Sequence, residues 1–491
     1  MICVSIAQPS RRFALIDIIN ARGRCDFLEI CLDRFVRRPS FTELFRAWNR
    51  PIIISCRRPR DGGQWKGDED SRLALLHKAA AANADYVEIE LDRVRDFRPE
   101  NGAKLIVSHT DFDKNPSNLR QIWLQACENG ADVVKLVLPN IALEEARRAI
   151  QILKEASRPT IIVARDEAGL MFSILGKRFG SPWAYAALEP GMESIPGMIC
   201  VDDLRGALVI DDFGPKNQMV GVLGGQQEQL LAARILNQGF REGLLPIRAI
   251  PVTMGDNPEK FLRTAKRLPI QGILPSLEQR KLFAAHADHL DDIDPLNGSV
   301  DLLESSKGGW TGHDVMSKAI KRAFEKAFAE RFPVENPIVG RPIIVLGSNS
   351  LAVSLALTLS RVGAEVSVVT KARDDLREIE GVISGGIYTL EEASDLTADA
   401  LVRCTDEVKD LPAETVSKAG IAADFSNYPF ATHRLHEFRE EGGIVVDPIE
   451  IHHRVLLSVV QAYTGIKPNP DDVADSMAEW ESDPAHPSLV E

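Results

Sequence analysis

Short apolar runs alternate with helical stretches over the first 210 residues. The runs at 2–6, 27–32, 51–56, 86–90, 104–108, 133–138, 160–164 and 183–187 have the length and β-branched content of buried strands. Between most of them lie segments of 3.6-residue periodicity, as at 71–82, 118–129 and 143–156. Eight strands with seven or eight helices predict a closed (β/α)8 barrel, with an open doubly wound sheet as the alternative.

The polar stretch 211–217 reads as a linker, and the βα rhythm restarts with a strand at 219–223 and a helix at 227–238. A third unit opens near Ile338. An apolar strand at 341–346 ends in Gly347-Ser348-Asn349-Ser350 and is followed by a helix at 351–361 and a strand at 365–370. That is a βαβ unit of the Rossmann kind. Residues 433–440 and 451–462 read as helices, and the acidic, proline-containing tail after Lys467 reads as loose. The fold class expected is α/β throughout.

Composition narrows the partners. A formal net charge of -13 argues against nucleic acid or an anionic membrane, because like charges repel. The cluster Arg57-Arg58-Pro59-Arg60 is the local exception and suits a small anion. Seven cysteines without a CxxC pair suit a reducing compartment. No run approaches the roughly 18 apolar residues of a spanning helix, and the N-terminus has no basic and then apolar leader pattern. A cytoplasmic location is expected, and a homo-oligomer stays open.

Lys135 is the most informative residue. It lies in Val133-Val134-Lys135-Leu136-Val137-Leu138, where a charged lysine is expensive to bury. Burial lowers a lysine's pKa, which is how Schiff-base lysines become nucleophilic. The alternative is a strand-end lysine reaching solvent or pairing with a carboxylate. His452-His453 resembles a metal pair, but adjacent helical residues point about 100° apart and no spaced carboxylate accompanies them. They are expected to be a surface pair, and no metal is expected. Trp183, Tyr185 and Met192 are read as core.

Seven segments in order resemble type I 3-dehydroquinate dehydratase over residues 1–210. They are Glu29-Ile-Cys-Leu-Asp33, Ser55-Cys-Arg57 leading to Asp61-Gly62-Gly63, 86–90, 106–112, the Lys135 strand, Gly169-Leu-Met171 with Phe179-Gly180-Ser181, and Ser194-Ile-Pro196-Gly197. The resemblance implies a TIM-type barrel in which Lys135 forms an imine with a ketone, the electron sink, so that no cofactor is needed. A histidine would remove the adjacent proton. Glu29, Arg57, Asp61 and Ser194 would hold the substrate, 3-dehydroquinate or a related cyclic hydroxy acid. Arg57 has the fork that grips a carboxylate bidentately. Several family positions are substituted: an arginine by Cys31, the carboxylate-binding arginine by Ser173, a glutamine by Met198, and the acid before the double glycine is Asp61 rather than glutamate. The histidine position falls on Thr110, with His109 one residue earlier. A one-residue offset in a strand faces the other way, so His109 acts as base only if a bulge re-aims it.

Residues 219–490 resemble shikimate dehydrogenase through Gly221-Val-Leu-Gly224, Gly272-Ile-Leu, Gly298-Ser-Val300, Gly309-Trp310, the Gly347 turn, and Glu450 through Gly465. The resemblance implies a substrate domain at 219–337 and 449–480 with a Rossmann-like domain at 338–448 between. It also implies NADP as cofactor, with Gly347 in the binding turn. The chemistry is thinned. The substrate-binding serines are replaced at 228–232, the catalytic lysine falls at Arg280, and a guanidinium cannot relay a proton. The family asparagine is Asp301, the returning-helix glutamine is Val455, and the turn lacks its second and third glycines. Two functions remain: a lyase of the shikimate pathway, feeding aromatic amino-acid synthesis, whose dehydrogenase-like partner is of doubtful activity, or a catalytically impaired binding or regulatory protein that keeps both scaffolds.

Overall fold

The computed structural model describes residues 1–37, 39–291, 293, 295–405, 416–466 and 478. The tail expected to be loose lies outside the described residues. The chain forms two compact units, Met1–Asn237 with Pro246–Pro269, and Gln238–Leu245 with Ile270–Glu491.

In the first unit the strands are β1 (Ile2–Ile6), β2 (Phe27–Cys31), β3 (Ile52–Ser55), β4 (Tyr86–Glu90), β5 (Lys104–Thr110), β6 (Val133–Leu138), β7 (Thr160–Ala164) and β8 (Ala184–Ala186). Their helices are α1 (Arg11–Asn20), α2 (Phe41–Arg46), α3 (Glu69–Ala81), α4 (Leu119–Glu128), α5 (Arg147–Glu155), α6 (Asp166–Phe179) and α7 (Val201–Gly206). Every described ladder of this sheet is parallel, in the order β7-β6-β5-β4-β3-β2-β1-β8. Among the described residues no ladder joins β7 to β8. The seam is bridged by the Ser181 hydroxyl donating to the Thr160 carbonyl at 3.0 Å. Side chains complete the closure, since Ile161 of β7 and Trp183 and Tyr185 beside β8 belong to one core with Cys3, Phe27, Ile53, Ile106, Val133 and Val137. Between β4 and β5 the crossover holds only a short turn, Val94–Asp96, in place of a helix.

That core shows which residues face inward. Phe27, Tyr86 and Trp183, at the strand beginnings, pack ring on ring with centroids 4.9–6.1 Å apart. They form an apolar floor across one end of the barrel. Two residues further along the same strands, the inward positions become Glu29, Glu88 and Tyr185, so the interior turns from apolar to charged in one step of the period-2 repeat. The unit continues with β9 (Gln218–Val222), α8 (Gln226–Glu242), β10 (Ile247–Pro251) and α9 (Pro258–Arg267). β9 and β10 pair in parallel. The stretch read as a linker is anchored at its start, because Ile210 and Phe213 are buried.

The second unit begins with β11 (Ile270–Leu274), α10 (Arg280–Ala285), β12 (His289–Asp291), β13 (Leu302–Ser306), β14 (Gly309–His313) and α11 (Met316–Arg331). β13 pairs antiparallel with β11 and with β14. Then follow β15 (Pro342–Leu346), α12 (Ser350–Arg361), β16 (Glu365–Val369), β17 (Ile387–Tyr388), β18 (Ala398–Arg403), β19 (Val416–Asp424), α13 (His433–Glu440), β20 (Ile444–Val445) and α14 (Pro448–Thr464). This last sheet is parallel, in the order β17-β16-β15-β18-β19-β20, which is the 3-2-1-4-5-6 order of a Rossmann fold.

His452 and His453 are not a surface pair, contrary to expectation. Both are buried in α14 among Ile449, Ile451, Val455 and Leu456. The helix is apolar nearly all round, so the angle between adjacent residues did not put either in water. Nδ1 of His452 lies 2.9 Å from the Tyr428 hydroxyl, and neither ring nitrogen of His453 has a hydrogen-bond partner. No group of three or more metal-ligating side chains occurs among the described residues. Burial pushes the His452 imidazole down to about 3, with His453 adding to the effect, and burial pushes His453 down to about 4. Both are therefore neutral when folded, while the unfolded chain takes up protons below about pH 6.5. The unfolded state binds more protons between about pH 6.5 and 4, so stability rises with pH across that window and falls on acidification. Each histidine contributes about 1.4 kcal/mol per pH unit there. His453→Met is expected to flatten this slope in denaturant titrations between pH 6.5 and 4.5, and an unchanged slope contradicts the assignment.

Candidate active site

Four inward-facing charges meet inside the barrel. Lys135 on β6 is 1% exposed, Glu29 on β2 0%, Glu88 on β4 4% and Arg57 just beyond β3 6%. The Lys135 ammonium donates to Glu88 Oε2 at 2.9 Å and lies 3.5 Å from Glu29 Oε1. Arg57 donates to Glu88 through Nε and Nη2, both at 3.2 Å, and through Nη2 to Glu29 Oε1. The Ser5 hydroxyl donates to the other Glu29 oxygen at 2.7 Å. Two cations and two carboxylates thus form a closed ring without net charge. Burial of any one of them alone would be prohibitive. Burial by itself would raise the Glu88 carboxyl, but Arg57 and Lys135 outweigh it and hold Glu88 well below the usual carboxylate range. Arg57, lowered by burial and raised by Glu29 and Glu88, stays well above its ordinary value. The Tyr185 ring closes the ring from one side, 4.1 Å from the Lys135 nitrogen.

Backbone geometry holds the ring in place. Asp33, buried after β2, accepts from the Arg57 amide at 3.1 Å and the Gln64 amide at 2.9 Å. It ties the loop that carries Arg57 to the strand that carries Glu29. Gly63 folds back so closely that a Cβ there would stand 2.0 Å from the Arg57 carbonyl oxygen. Only glycine fits.

Lys135, Glu29 and Arg57 come together, and Glu88 joins them. Arg57 spends its Nε and Nη2 on the two carboxylates. Asp61 lies elsewhere, accepting from Arg58 Nε at 2.6 Å. Ser194 is buried, and its hydroxyl contacts Met198 Sδ at 3.7 Å. Ser173 donates back to the Gly169 carbonyl at 2.9 Å within α6. The small-anion site read in 57–60 is not present as such, because Arg58 and Arg60 both pair with Asp92.

The β5–β6 ladder runs unbroken from Ile106↔Val133 to Thr110↔Val137, so no bulge intervenes. Ser108, opposite Lys135, and Thr110 share its face, while His109 takes the other. His109 lines an open cavity of about 740 Å3 with Arg58, Asp61, Asp92, Arg95 and Glu128. That cavity does not include Lys135. Burial lowers the His109 imidazole, against Asp111, Asp61 and Asp92.

In the second unit the positions assigned to chemistry have become structural. Arg280, 1% exposed, donates to Asp301 Oδ1 at 2.5 Å, and Asp301 Oδ2 accepts from the Val315 and Met316 amides at the start of α11. Arg280 Nη1 lies 3.4 Å from Ser354 Oγ, which donates to Asn297 at 2.5 Å. Gly347 does make the expected turn, with φ 128°. Asn349 stands where the second glycine would be, and its carboxamide accepts from the Ala352 amide at 2.9 Å while donating to the Cys404 carbonyl at 2.7 Å. The first turn of α12, where a pyrophosphate would bind, is capped from within and overlaid by a side chain. These residues do not fit a dinucleotide.

Comparison with known proteins places these features. One relative that spans most of the chain is the bifunctional 3-dehydroquinate dehydratase/shikimate dehydrogenase of Arabidopsis thaliana, 23% identical over 95% of this chain and 82% of that protein. The 3-dehydroquinate dehydratase of Methanocaldococcus jannaschii is 30% identical over 42% of this chain and 96% of its own length. A solved structure of dehydroquinate dehydratase and shikimate dehydrogenase from S. pombe aligns with 97% of this chain and 98% of that one, at 16% identity and a TM-score of 0.41. Residues 2–213 match the family model for type I 3-dehydroquinase, and through that barrel the chain belongs to the type I 3-dehydroquinase family, with a shikimate dehydrogenase-like module fused behind it.

Proposed function

We propose that the barrel is a Schiff-base lyase converting 3-dehydroquinate to 3-dehydroshikimate, and that the second module is a scaffold without dinucleotide chemistry. The observation that carries the first part is the position of Lys135, buried and inward-facing with a carboxylate 2.9 Å from its nitrogen. The Lys135 ammonium passes its proton to solvent before reacting, since Glu88, held well below the usual carboxylate range, is a weak acceptor. The free amine then adds to the substrate ketone, water leaves, and an iminium forms. Loss of a proton from the neighbouring carbon sends electrons to the iminium nitrogen. Their return expels the hydroxyl group as water once it is protonated, and hydrolysis frees Lys135. A reducing, cytoplasmic setting agrees with the seven free cysteines.

Proton abstraction is the weak step. Thr110 shares the inward face of Lys135 and has no base, while His109 stands on the opposite face of β5. Losing a positioned base typically costs ~10²–10⁴ in rate. The barrel is therefore expected to form the imine readily and dehydrate slowly. A second reading, a catalytically impaired protein that retains both scaffolds, is favoured for the second module by the Arg280–Asp301 pair and the Asn349 cap.

Borohydride with 3-dehydroquinate should leave one stable adduct, on Lys135, that disappears in Lys135→Ala. Labelling scattered over surface lysines, or none, refutes the Schiff-base assignment. In calorimetry with NADP(H) or NAD(H), no saturable micromolar binding is expected. Micromolar binding together with shikimate-dependent reduction of NADP would show the second module to be a working dehydrogenase.

A further inference from the structure

The inward rows of the barrel continue past the ring of charges to its mouth. On β7 the residues facing the core are Ile161 and Val163, and two residues further along the same row stands Arg165. On β5 the row passes through Ser108 and Thr110 and reaches Phe112 two residues on. The Arg165 guanidinium carbon lies 5.4 Å from the Phe112 ring centroid. β5 and β7 flank β6, so this stacked pair reaches across the strand that carries Lys135.

Three other arginines of the barrel are occupied. Arg57 is bonded to Glu29 and Glu88, Arg58 to Asp61 and Asp92, and Arg34 contacts Asp33 and the Ser194 carbonyl. Arg165 makes no side-chain hydrogen bond among the described residues. Its Nε is buried without a partner, and its one carboxylate contact is its neighbour Asp166, at 4.0 Å and half exposed. An exposed pair at that distance is worth little. The backbone beneath is firmly fixed, because the Asp166 amide donates to the Pro196 carbonyl at 3.0 Å and the turn at Gly197 packs against the Asp166 backbone too closely for any Cβ.

We propose that Arg165 is the anchor for the substrate's carboxylate, doing from the end of β7 what the uncharged Ser173 cannot do from α6. This rests on the reading of the barrel as a 3-dehydroquinate site. The guanidinium leaves the Phe112 face and takes the carboxylate as a charge-assisted pair, fixing the ring so that its ketone descends toward Lys135. Arg165 is a positioning and specificity residue: it selects cyclic ketones that carry a carboxylate over those that do not.

The test uses the full chain and measures borohydride trapping on the Lys135 peptide against ketone concentration, for 3-dehydroquinate and for a hydroxylated cyclohexanone without the carboxylate. In Arg165→Gln the half-saturating concentration of 3-dehydroquinate should rise roughly 10- to 100-fold. Arg165→Lys should recover part of that loss, and the carboxylate-free ketone should label both variants and the wild type alike, which also shows that the variants are folded. Equal half-saturation of wild type and Arg165→Gln with 3-dehydroquinate, Lys135 being labelled in both, overturns the anchor and leaves the Schiff-base reading intact. A parallel loss with both ketones overturns it too, as a general defect. No labelling of wild-type Lys135 overturns both.

Discussion

The barrel depends on charge balance inside a closed wall. Four ionised side chains sit above an aromatic floor, and none could be there without the other three. Arg57 bridges both carboxylates, and Lys135 completes the ring. The strands, the Asp33 tie and the folded-back Gly63 all serve to bring these groups within hydrogen-bond reach. A ring of this kind adds little net stability compared with an apolar core, but it exacts a heavy penalty if one member is lost. That asymmetry makes it a functional device: a lysine kept in place, dry, and held by a carboxylate partner.

Much of this was legible from residue order alone. The period-2 rows place Lys135, Glu29 and Thr110 inward and His109 outward, and the structure keeps that parity along an unbroken ladder. Glu88 was legible by the same rule, as a carboxylate among Tyr86, Val87 and Ile89, yet only the packed barrel shows that it is the group nearest the Lys135 nitrogen. The pairing of Arg57 with Glu29 and Glu88 was not legible, because a sequence cannot show which carboxylates will reach a fork first. Asp61 stands near the double glycine in sequence, but its oxygens turn to Arg58. His452 and His453 were misread because adjacency on a helix says nothing about burial when the helix is apolar on nearly every side.

The second module shows the opposite use of the same physics. The 3-2-1-4-5-6 sheet and the Gly347 turn persist, because they are what the apolar core around β15 and α12 requires. Its polar positions have been drawn inward into structural pairs, Arg280 with Asp301 and Asn349 with the start of α12. Mutual satisfaction of these groups is what supports the proposal that the module lacks dinucleotide chemistry.

The central claim is that Lys135 and Glu88 act as one buried unit. A double-mutant cycle with Glu88→Gln and Lys135→Met, read by equilibrium unfolding, tests it most directly. Each single change should cost about 3–5 kcal/mol, since it leaves a buried charge without its partner. The double variant should cost less than the sum, by about 1–3 kcal/mol. Costs that add to within about 0.5 kcal/mol would mean that the two groups do not share a ring.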